Sequence, residues 1–102
     1  MDNLTKLYYA PLKLDGQNYY EWALDTTLHL RSESLGETIK EGNSESVINK
    51  AKATILIRHH MHKDLRLEYL ADEDPFDLWV KLKDRFEHMK ACLLYTSDAA
   101  DE

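Results

Sequence analysis

Apolar residues fall at helical spacing along most of this chain, and the pattern predicts four helices behind an extended arm. Met1 to Gln17 carries scattered apolar side chains and the breakers Pro11 and Gly16, which reads as a partly docked arm turning at Asp15-Gly16. Tyr19, Trp22, Ala23, Thr26 and Leu30 then recur with a helical period, and Leu24 and Leu28 widen that face. Asn18 with Glu21 three residues on is a variant capping box, so the first helix is expected to start at Tyr19 and to fade between Ser32 and Gly36.

After the loop Gly42-Asn43-Ser44, a second long helix is expected, with Val47, Ile48, Ala51, Ile55 and Met61 on its inner side. A shorter helix over Lys63 to Ala71 would turn Leu65, Tyr69 and Leu70 inward. The clearest local pattern is "DPFDLWVKLKDRFE", Asp74 to Glu87. Asp74 suits the N-cap, Pro75 suits the first helical position because its missing N–H costs nothing there, and Asp77 puts negative charge in the first turn. Leu78, Trp79, Leu82 and Phe86 form one stripe, with Lys81, Lys83, Asp84 and Glu87 outside it. Trp22 and Trp79 are the expected core anchors.

Composition agrees with an all-α domain: of 102 residues 43% are apolar and 31% charged, with only 3 Gly and 2 Pro. The single cysteine, Cys92, has no internal disulfide partner. No secretory leader pattern and no apolar run of membrane-spanning length is present, so a cytoplasmic protein without a membrane partner is expected. The net charge of -6 becomes -3 when Asp98, Asp101 and Glu102 are taken from the 19 acidic residues, leaving 16 against 13 basic ones. Either balance disfavours a dedicated nucleic-acid binder, whose field is positive.

Candidate chemistry is sparse. His59 and His62 are i, i+3 neighbours, but two ligands fall short of a zinc site, and no metal or other cofactor is expected. Arg58, His59, His62, Lys63 and Arg66 form a short basic stretch that could touch RNA phosphates or a protein partner, although such clusters are mostly solvated faces. Tyr8, Tyr9, Tyr19, Tyr20 and Trp22 lack the basic groove that accompanies a base-stacking platform, so core packing is the expectation for them. No catalytic triad order, phosphate loop or paired-carboxylate motif stands out, so no catalytic residue is assigned and an enzyme is not expected.

Three stretches, "KLDGQNYYEW" (Lys13 to Trp22), "NKAKATILIRHHMHKDLRLEYL" (Asn49 to Leu70) and "DPFDLWVKLKDRFEH" (Asp74 to His88), together resemble the Gag polyprotein of plant copia-type LTR retrotransposons. The most specific parts are Leu14, Gly16, Asn18, Tyr19 and Trp22 of the first stretch, and Asp74, Pro75, Leu78 and Trp79 of the last, which continues through Leu82 and Phe86. The resemblance implies a capsid-like helical region over residues 1–90, without enzymatic activity, whose full-length form self-associates into particles around the element's RNA. It also implies further helices and a Cys/His zinc knuckle beyond this stretch, through which the RNA is contacted. A domesticated adaptor that binds a protein partner is the alternative, and a small RNA-binding domain a weaker one. The ending "CLLYTSDAADE", Cys92 to Glu102, looks like a translated sequencing adapter, so residues 91–102 are expected to be a disordered scar outside the fold.

Overall fold

The computed structural model describes residues 7–87, and the expectations for residues 88–102, including the adapter-like ending, lie outside them. The fold is all-α. Its elements are α1 (Tyr19–Ser32), a 3₁₀ turn (Gly36–Ile39), α2 (Val47–His59), α3 (Lys63–Glu68) and α4 over residues 75–87, where the described residues end. Among these residues the only sheet-like pairing is one parallel bridge between Leu12 and Met61.

The first helix starts where the sequence places it but is entered differently. Asn18 makes no side-chain cap; its Oδ1 accepts from the Lys13 amide (2.9 Å) and its Nδ2 donates to the Pro11 carbonyl (2.9 Å). An amide that both donates and accepts is thereby used to hold the arm against the helix start. Tyr19, Trp22, Thr26 and Leu30 are buried as expected. Leu24 and Leu28 are exposed, which corrects the wider face expected for them: at about 100° per residue, positions two away from Trp22 and Thr26 lie on the far side.

The second helix has the opposite register from the expected one. Ser46 caps it, its Oγ accepting from the Asn49 amide at 3.1 Å. Ala53, Thr54 and Ile57 point inward, followed by His60 and Met61, whereas Val47 (82% exposed), Ile48 (67%), Ala51 and Ile55 (59%) face out. This inner face is possible because the Thr54 hydroxyl, within reach of the Lys50 carbonyl (3.0 Å), also bridges to the Glu73 carbonyl (2.9 Å). A buried polar side chain with such partners carries little desolvation cost.

The third helix is shorter than expected, with Leu65 buried, Tyr69 half-buried and Leu70 exposed. The last begins as its sequence dictates: the Asp74 carboxylate accepts from the Asp77 amide (3.1 Å), and Pro75 is buried. Leu78, Leu82 and Phe86 are fully in the core. Trp79 is only partly buried, packed against the edge of the core and stacked on Trp22 with ring centroids 5.5 Å apart and planes 30° from parallel. The outer cations of α4 are matched: Lys81 with Asp72, Lys83 with Glu87 and Arg85 with Glu68. No described helix is long and apolar enough to cross a membrane.

Candidate functional site

The residues that carry the family-like motifs converge on one place, the junction of the arm, α1 and α4. Gly16 turns the chain with φ +73°, and a Cβ built there would sit 2.1 Å from the Phe86 ring. Only a glycine meets both demands. Tyr19 packs on Phe86 (centroids 5.9 Å), and Trp22 donates from Nε1 to the His60 carbonyl at 2.6 Å. That carbonyl also receives the Leu12 amide (2.9 Å), while the Leu12 carbonyl receives the His62 amide (2.8 Å). Leu14 departs from the motif's expected packing and is 43% exposed. These residues hold the fold together, and their chemistry is structural.

No protein-family model matches the chain, nor does any curated protein or solved structure.

The basic stretch from Arg58 to Arg66 is divided by the fold. His59, His62, Lys63 and Arg66 border one groove, and Lys13 from the arm joins them. Arg58 is turned away: its guanidinium donates to the carbonyls of Leu70 (2.6 Å) and Asp72 (2.8 Å), and more distantly to Tyr69 (3.4 Å). It closes the end of α3 and does not belong to the patch expected for it.

A second cluster, not foreseen, surrounds His60. This ring is almost wholly buried and stacks on Tyr9 with centroids 4.0 Å apart and planes 7° from parallel. Its Nδ1–H donates to the Leu56 carbonyl (3.0 Å) and its Nε2 accepts from the Tyr8 amide (3.2 Å), which defines a neutral ring of one tautomer. Tyr9 in turn hydrogen-bonds Thr26 (2.8 Å), and burial pushes its phenol up to about 12. His29 and His59 lie alongside, and with Glu33 and Lys52 they border a neighbouring cavity of about 340 Å³. Hydropathy assigns His60 to solvent, so the sequence holds no periodic signal of this cluster. Among the described residues no group of three or more His, Cys, Asp and Glu is arranged to hold a metal ion.

Burial lowers the His60 pKa; the Leu56 bond acts the other way, and positive charge on His59 or His29 adds to the lowering. The unfolded ring titrates near the ordinary value of about 6.5, so the unfolded state binds the proton first. The stability this site contributes is therefore complete above that value and is lost as pH falls toward the depressed native one. Between about pH 7 and pH 5 the parent is expected to lose more melting temperature than a His60→Gln variant. Parallel pH profiles for the two proteins would contradict this assignment.

Proposed function

We propose that this chain is a structural, non-enzymatic helical module that associates with copies of itself, a step beyond the resemblance to copia-type Gag, which implies self-association of the full-length form. What supports the reading is the outer face of α2. Val47, Ile48, Ala51 and Ile55 form an exposed apolar stripe of a kind that isolated soluble domains seldom carry. The stripe is symmetric about Ala51, with Val47 four residues before it and Ile55 four after. Two copies packed antiparallel about a two-fold axis thus set Val47 against Ile55 twice, with the small Ala51 allowing close approach at the centre. Self-complementarity of this sort is what a two-fold interface requires.

Lys50 and Lys52 flank the stripe, so each meets a lysine of the second copy, and added salt strengthens the pairing by screening that repulsion. Sedimentation velocity over a concentration series checks the reading. Association that grows with concentration and salt, and that disappears in a Val47→Lys, Ile55→Lys double variant, is the expected result. A parent that stays monomeric throughout would refute it, as would a double variant that associates as the parent does.

A further inference from the structure

The groove between the arm and the α2–α3 junction is a recognition surface of a different kind. Its volume is about 520 Å³. The Leu12–Met61 bridge lays the arm along the start of α3, which brings Leu7, Ala10 and Pro11 over the buried Leu12 and Met61 as an apolar floor. The same bridge sets Lys13 level with His62, so that it borders the groove together with Lys63, and Arg66, three residues along α3, follows on the side of Lys63. These three cations take part in none of the ion pairs among the described residues, unlike Lys81, Lys83 and Arg85 on α4. Asp64 stands close by, its amide donating to His62 Nδ1 at 3.0 Å, but it is not among the residues that line the groove.

A ligand for this groove needs an apolar side chain for the floor and two or three negative groups for the rim. We propose that the groove binds a short acidic peptide segment of another protein, with an aliphatic residue between carboxylates. A nucleic acid fits less well on two counts. The chain's net charge is -6, which repels an extended polyanion, and the lining offers no Phe, Tyr or Trp on which bases could stack. Three local cations in an otherwise acidic chain instead suit a short acidic segment whose carboxylates fall on the rim while its apolar residue leaves water.

Fluorescence anisotropy with a labelled seven-residue probe, a central leucine flanked by glutamates, tests the proposal. Saturable binding is expected, weakened about tenfold or more by Lys63→Glu with Arg66→Glu, and separately by Lys13→Glu, which lies on another element and guards against local misfolding. Lys40→Glu, at a surface ion pair with Glu37, is expected to leave affinity unchanged. Replacing the probe's leucine with serine is expected to weaken binding several-fold. Absence of saturable binding overturns the proposal, as does indifference to the leucine or to the charge reversals. An oligouridine of equal length that binds as tightly as the peptide overturns it in favour of nucleic acid.

Discussion

Trp22→Ala is expected to leave the protein largely unfolded at room temperature. The indole is 1% exposed, stacks on Trp79, contacts Tyr19 and donates to the His60 carbonyl, so its removal opens a cavity where the arm, α1 and α4 meet. Truncations of this size cost on the order of 3–5 kcal/mol, against a total of about 5–15 kcal/mol for a typical domain. Trp22→Phe separates the two contributions. It keeps much of the volume but removes the N–H and part of the indole, while the carbonyl retains the Leu12 amide, so a loss of about 1–3 kcal/mol, below that of alanine, is expected. Urea denaturation of both variants is the measurement; an alanine variant with the parent's midpoint would mean that Trp22 is not the keystone described above. Trp79→Ala is expected to cost less than Trp22→Ala, because Trp79 is only partly buried against the core whereas Trp22 is wholly within it.

The second large effect is expected at Gly16. Alanine there must hold φ near +73°, at roughly 1 kcal/mol, and its Cβ meets the Phe86 ring at a distance no pair of carbons tolerates. Phe86 cannot easily swing aside, being 3% exposed, packed on Tyr19 and covered by the Arg85 guanidinium 5.2 Å from its ring. Overpacking of this sort adds about 1–3 kcal/mol, so the total is about 2–4 kcal/mol. The clash portion should shrink in a Phe86→Leu background while the backbone portion persists. A double-mutant cycle with no coupling between the two positions would show that the close approach does not exist.

The sequence disclosed α1 and α4 well and α2 poorly, for reasons that lie in particular side chains. Trp22, Thr26 and Leu30 repeat on one stripe, and Asp74-Pro75 announces a helix start by local chemistry alone, so neither reading depends on distant residues. The second helix carries apolar side chains on two faces. Its inner face includes Thr54 and is followed by His60, which hydropathy assigns to solvent and which become core residues only because the Glu73 and Leu56 carbonyls and the Tyr8 amide receive them. The Glu73 carbonyl and the Tyr8 amide are distant in the chain, and periodicity does not see them. The groove was half legible on the same logic: His59, His62, Lys63 and Arg66 stand together in the chain, whereas Lys13 arrives through the Leu12–Met61 bridge, and Arg58 leaves because three carbonyls at the end of α3 claim it.

The docking of Tyr8 on His60 spans 52 residues of chain, and this separation dictates an order of events when the protein is made. The arm leaves the ribosome before α2, yet its acceptors, the His60 ring and carbonyl, exist only after the whole of α2 has emerged. Until then Tyr9 lacks the His60 ring on which it stacks, and closing a loop of that length costs entropy that short-range helix formation does not. The arm is thus made well before the partners that hold it, and during that interval it is open to chaperones.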